Sequence, residues 1–185
     1  MKFLIGFLVS IGLLILVFIL IFRGAANHND QPVPKPLVDY ANSSTVMQFT
    51  FEGPVSADQT HDEVRITVSD VETAIEIFQG YQNHVVSSRT YANNSAAYAD
   101  FLRALDLAGY TKGNSDKSVS DERGVCPTGT RYVMGIKNGD TDVQRFWSST
   151  CGNSPSFKGK TTVVRSLFIA QIPDYADLTN NVDVQ

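Results

Sequence analysis

Two cysteines and one dipeptide between them constrain this chain more than any other feature. Cys126 and Cys151 are its only cysteines in 185 residues, and Asn138-Gly139 lies midway between them. Asn-Gly between strand-like runs is the strongest short hairpin signal, because a two-residue type I′ turn needs positive φ at both central positions. The runs here are Arg131 to Ile136 and Val143 to Trp147. With that turn, each residue before it opposes the one equally far beyond it. Cys126 then faces Cys151 at a non-hydrogen-bonded site, where Cα atoms are about 4.5 Å apart and a disulfide can form. The bridge closes a loop of roughly 26 residues, worth about 3 kcal/mol in the chain-entropy picture. Pro127 and Gly129 weaken the ladder near the cysteines, and Asp140-Thr141-Asp142 permits a longer loop. A one-residue slip would undo the alignment.

The same register puts Tyr132, Met134 and Ile136 on one face with Val143, Trp147 and Cys151, and sets Arg145 opposite Tyr132. Arg145, Trp147 and Tyr132 thus form a candidate ligand contact, a cation held over aromatic rings. The plainer reading is a structural Arg whose stem packs on the rings while its head reaches solvent or an acid.

At the other end of the chain, Phe3 to Phe22 carries no charge, and Ser10 is its one hydroxyl. A hydrocarbon core of roughly 30 Å needs about 20 helical residues, so the run predicts a transmembrane signal anchor over 1–23. Cleavage after Ala25 or Ala26 is the alternative, although the apolar region of a signal peptide usually spans only about 7–15 residues. No second run of this kind exists, which excludes a polytopic membrane protein. The positive-inside rule barely decides orientation, with Lys2 on one side and Arg23 and Lys35 on the other. The cysteines favour an oxidising compartment, hence a domain outside the cytoplasm. Setting Lys2 and Arg23 aside from 15 basic residues leaves the remainder at about −6 against 19 acidic ones. An acidic domain without a basic stripe excludes nucleic acid as a partner.

Gly24 to Ser44 reads as a Pro-rich linker, with Pro32, Pro34 and Pro36 alternating in a semi-rigid spacer. The folded domain is expected over 45–176 and a polar, frayed tail over 177–185. Met47, Phe49 and Phe51 alternate with polar residues, as do Val64, Ile66 and Val68, and both runs read as half-buried strands. Ser69 and Glu72 form a capping box before Val71, Ala74, Ile75 and Phe78, which predicts a helix ending at Gly80. Val85 to Tyr91 reads as a third strand. Asn94 or Ser95 caps a helix whose buried stripe is Tyr98, Phe101, Leu102, Leu105 and Ala108. Thr111 to Gly124 reads as a mobile loop. Thr161 to Ile172 is strand or helix, with helix favoured. The expected class is α+β: an N-terminal transmembrane helix, then one antiparallel sheet packed by about three helices, with a disulfide-linked hairpin.

Catalytic signals are sparse. His61-Asp62-Glu63 is a candidate acid–base or metal cluster, but neighbours on a strand point to opposite faces and cannot all converge. No HExxH, CxxC, GxSxG or phosphate-loop pattern occurs, so no metal or cofactor is expected. Cys126, Trp147 and Cys151, followed by Leu167-Phe168-Ile169-Ala170-Gln171-Ile172-Pro173-Asp174-Tyr175, resemble uncharacterised single-pass bacterial membrane proteins, mainly over the last 50 or so residues. The resemblance implies a cell-surface location and no chemistry. The expected function is a membrane-tethered, non-catalytic binding or assembly module outside the cytoplasm, with a cell-surface protein or wall component as partner. The alternative is an extracytoplasmic, hydrolase-like enzyme with a site assembled from dispersed polar residues, His61, Asp62 and Glu63 first among them.

Overall fold

The computed structural model describes residues 36–41, 44–152 and 154–184. The anchor expected over 1–23 and most of the linker lie outside them. Among the described residues no helix is long and apolar enough to cross a membrane.

The class is α+β. Six antiparallel strands form one sheet in the order β4-β3-β2-β1-β5-β6. They are β1 (Thr45–Glu52), β2 (Asp62–Val68), β3 (Glu72–Gln79), β4 (His84–Ala92), β5 (Arg131–Asn138) and β6 (Thr141–Ser149). Among the described residues there are three α-helices, in sequence order α1 (Ser95–Ala108), α2 (Thr161–Ile169) and α3 (Tyr175–Thr179). Period-two alternation explains the strands. Met47, Phe49, Phe51, Val64, Ile66 and Val68 are fully buried, while the residues between them face the other way. Asn94 caps α1 by accepting from the Ala96 and Ala97 N–H groups, and the expected stripe from Tyr98 to Ala108 is buried. Over 161–172 the chain is helical, and Val164 and Phe168 are its buried residues.

Phe168 joins the layers. Its ring centroid lies 5.3 Å from Phe49 on β1, 5.1 Å from Phe101 on α1 and 5.8 Å from Tyr110. The Tyr110 hydroxyl donates to the Gln48 and Gly135 carbonyls at 2.7 and 2.9 Å, tying the helix layer to β1 and β5.

The helix expected after Ser69 is strand β3. The Ser69 N–H bonds to the Glu72 carbonyl at 2.8 Å, and its Oγ accepts from the Val71 and Glu72 N–H groups. A Ser followed three residues later by Glu closes a tight β2–β3 hairpin as readily as it caps a helix. What decides is beyond the turn: Ile75 and Ile77 are buried in alternation, and Val71 is exposed.

The hairpin register also differs from expectation. Asn138 pairs with Thr141, so the turn residues are Gly139 and Asp140, with Gly139 at φ 57° in the first central position as type II′ turns require. A bulge follows between Ile136 and Lys137, where Gln144 and then Asp142 are the partners. Tyr132 therefore opposes Ser148, and Arg145 opposes Gly135. The displacement is odd, which exchanges the two faces of β6 relative to β5. The disulfide forms nonetheless, with Cα atoms 5.5 Å apart. Cys126 lies outside the ladder, at φ 54°, and the turn from Pro127 to Thr130 absorbs the difference.

Both ends of the folded unit reach further than expected. It begins at Pro36 rather than near Thr45, and Leu37 is fully buried. The tail is docked: Val184 is buried, and the Asp183 N–H donates to Asp62 Oδ2 at 3.0 Å. Gly53 permits this, since a Cβ there would sit 2.5 Å from the Asp183 carbonyl oxygen.

Phe168→Ala should cost about 3–5 kcal/mol of stability by opening a cavity where the layers meet, measured as a shift in the urea midpoint with m unchanged.

Candidate functional site

The helices cover one face of the sheet. On the other face the alternation leaves Gln48, Thr50 and Glu52 of β1, Glu63 and Arg65 of β2, and Arg131, Val133 and Gly135 of β5. Two adjoining depressions lie on this face, which is free of helices among the described residues, and share Glu52 and Glu63. One, of about 200 Å³, has Gln48, Thr50, Val133 and Gly135 as its floor and Arg65, Lys137 and Arg145 at its borders. The other, of about 350 Å³, runs between His61 and Tyr81 on one side and Glu122, Arg123 and Arg131 on the other.

Charge pairing dominates the face. Arg131 Nε donates to Glu52 at 2.9 Å, Arg65 to Glu63 at 2.7 Å, and Lys137 pairs with Asp142 at 3.0 Å. Arg145 binds Glu122 with both terminal nitrogens, at 2.7 and 2.5 Å, and this contact raises its pKa further. The Glu122 side chain is only 7% exposed, so the pair is half out of water. Arg65 also lies over the Phe78 ring, 4.4 Å from its centroid.

The loop expected to be mobile braces this face. Trp147 Nε1 donates to the Val119 carbonyl at 2.7 Å, and Arg145 reaches the Ser120 carbonyl and Glu122. The disulfide pins the loop's far end beside β6. Asp121 and Arg123, flanking Glu122, hold each other, and that contact pulls the Asp121 carboxyl well below the usual carboxylate range.

Of the three expected contact residues, Arg145 and Trp147 share the helix-free face, but Tyr132 does not join them. It is buried on the opposite face against Phe49 and Phe51. The three-residue register displacement separates them. Arg145's head reaches an acid, Glu122, rather than a ring. His61, Asp62 and Glu63 also diverge. His61 is buried, stacked on Tyr81 at 4.2 Å, with Nδ1 3.0 Å from the Pro54 carbonyl. Asp62 holds the chain's tail, and Glu63 pairs with Arg65. Among the described residues no group of three His, Cys, Asp or Glu side chains is placed to hold a metal ion. Glu52, Glu122 and Arg131 carry no motif that marks them as site residues in the sequence. Alternation alone would have marked Glu52, the polar end of β1, but nothing local links Glu122 to Arg145.

Comparison of the chain with protein-family models and with curated proteins finds no match.

Burial pushes the Glu52 carboxyl above its ordinary 4.5; Glu122 and Glu63 push the same way, and Arg131 opposes them. The folded state thus holds this proton more tightly than the unfolded chain, and its contribution to stability falls as pH rises through the raised value. Glu52→Gln should gain stability relative to the wild type as pH rises above 4.5, read from unfolding curves across that range. Replacing both cysteines by Ser should lower stability by about 3 kcal/mol. It should also expose Trp147, seen as a red shift of its fluorescence at temperatures where the rest of the domain stays folded.

Proposed function

We propose that the domain is a non-catalytic binding or assembly module, held outside the cytoplasmic membrane by the apolar N-terminal segment, and that the helix-free sheet face is its contact surface. The pairing of the carboxylates around the depressions carries this reading: Glu52 with Arg131, Glu63 with Arg65, Glu122 with Arg145 and Asp142 with Lys137. A carboxylate held by its own cation is oriented and neutralised. It recognises by position and complementary charge rather than by giving or taking a proton. Support for the location comes from the uncharged run Phe3 to Phe22 and from the disulfide, which persists in oxidising compartments. The partner class is a cell-surface protein or wall component presenting both signs of charge.

One observation favours a second reading. Glu52 has a raised pKa and borders the same depression as His61, the combination expected of an acid–base pair in a hydrolase-like enzyme. The two readings separate in one experiment on the full chain in native membranes. A photo-reactive residue at Gln48 should give a discrete adduct, and one at Leu107, on α1, should not. Equal yields from the two positions would remove the contact surface. Turnover in a hydrolase screen, lost in both Glu52→Gln and His61→Ala, would establish the enzyme instead.

A further inference from the structure

Every Arg, Lys, Asp and Glu that lines the two depressions is paired within the chain. An ionic ligand would have to break one of these pairs or leave its own charge uncompensated, and either costs desolvation. What the depressions offer instead is a fixed array of donors and acceptors. Gln48 Nε2 donates to Thr50 Oγ1 at 3.3 Å, and Glu52 and Glu63 stand opposite each other on the ladder, each held by its arginine. Hydroxyl groups, which both donate and accept, suit such a mixed array.

Gly135 lies on the floor of the smaller depression. Its φ is not left-handed, and a Cβ there would meet nothing closer than 3.8 Å beyond its chain neighbours. Neither the backbone nor crowding requires glycine, and glycine weakens a strand interior. The missing side chain leaves a slot. Beyond Glu52 and Glu63, the larger depression has a fixed aromatic plate. Tyr81 stacks on buried His61 at 4.2 Å. Its hydroxyl donates to the Ser56 carbonyl at 2.9 Å and accepts from the Ser56 N–H at 3.1 Å. The residue is nonetheless 51% exposed. A ring held this firmly offers contact area at little entropic cost, and the C–H face of a sugar ring lies well against its negative face.

We propose that the two depressions form one groove for a saccharide, with a sugar ring stacked on Tyr81 and the next units running along β1 past Glu52 and Thr50 to the slot over Gly135. From Gln48 to Glu52 the strand spans about 13 Å, room for more than one ring. Together the depressions fall within the roughly 300–1,000 Å³ of small-molecule sites. This rests on the binding reading of the face and narrows its partner to a wall component. Lys137 and Asp142, 37% and 50% exposed, and Arg123 and Asp121, 85% and 50% exposed, are the pairs open to the charged substituents such a polymer carries.

Calorimetric titration of the full chain in detergent, with uncharged trisaccharides of glucose and of N-acetylglucosamine, provides the test. At least one should bind, with an affinity unchanged between about 0.05 and 0.5 M salt, since screening acts on charge alone. Gly135→Val puts methyl groups into the slot and should weaken binding at least about tenfold, while the urea midpoint holds or rises. Tyr81→Ala should weaken it as much, and Tyr81→Trp should retain it. Leu107→Ala, on α1, should change nothing. Failure of both sugars to bind would overturn the proposal, as would binding that survives both Gly135→Val and Tyr81→Ala, or binding that salt abolishes. The photo-reactive residue at Gln48 separates this from the broader reading. A discrete Gln48 adduct without sugar binding removes the saccharide and keeps the contact surface, whereas equal adduct yields at Gln48 and Leu107 remove both.

Discussion

Burial of the Met47, Phe49 and Phe51 face of β1 is the constraint from which the rest of this domain follows. β1 pairs with β2 on one side and β5 on the other, so its pleat sets the facing of both neighbours. Phe49 meets Phe51, Tyr132 and Phe168 within 6 Å between ring centroids, and these rings knit the sheet to α1 and α2. Side chains in a strand alternate, so committing one face of β1 to the core commits Gln48, Thr50 and Glu52 to the other. The polar face is therefore a geometric consequence of the aromatic one. Its depressions sit where none of the described helices crosses.

A second tie stabilises what the core does not reach. The stretch 119–126 between α1 and β5 has little apolar content, yet Trp147 holds Val119, Arg145 holds Glu122 and Cys151 holds Cys126. An ion pair with one carboxylate this buried pays desolvation against its Coulomb gain, so its net contribution to stability is small. Its role is to specify where the segment lies, and with it the wall of the larger depression.

Local signals were legible where local chemistry suffices. Asn94 capping, the Tyr98 to Ala108 stripe, the alternation of β1 and β2 and the strand at β4 all stand in the sequence as they stand in the fold. At Ser69 two structures share one signal. Ser69 and Glu72 satisfy the same backbone N–H groups at a hairpin turn as at a helix cap, and the alternating burial of Ile75 and Ile77 beside β2 decides between them. Asn138-Gly139 marked the hairpin but not its turn residues. The bulge near Lys137 then moved Arg145 away from Tyr132. The disulfide does not depend on the register of an Asn-Gly turn, because Cys126 lies outside the ladder, in the turn before β5, and meets Cys151 from there.

By itself the sequence determined the apolar N-terminal run, the α+β class, a hairpin at Asn138-Gly139 and the buried stripes of β1, β2 and α1. These depend on composition, period and short-range turn chemistry, all of which are local. Tertiary structure decided which carboxylate meets which guanidinium and which face stays free of helices. Those outcomes depend on strand register and on contacts between residues far apart in the chain. A displacement of one residue exchanges the faces of a strand while leaving its composition unchanged.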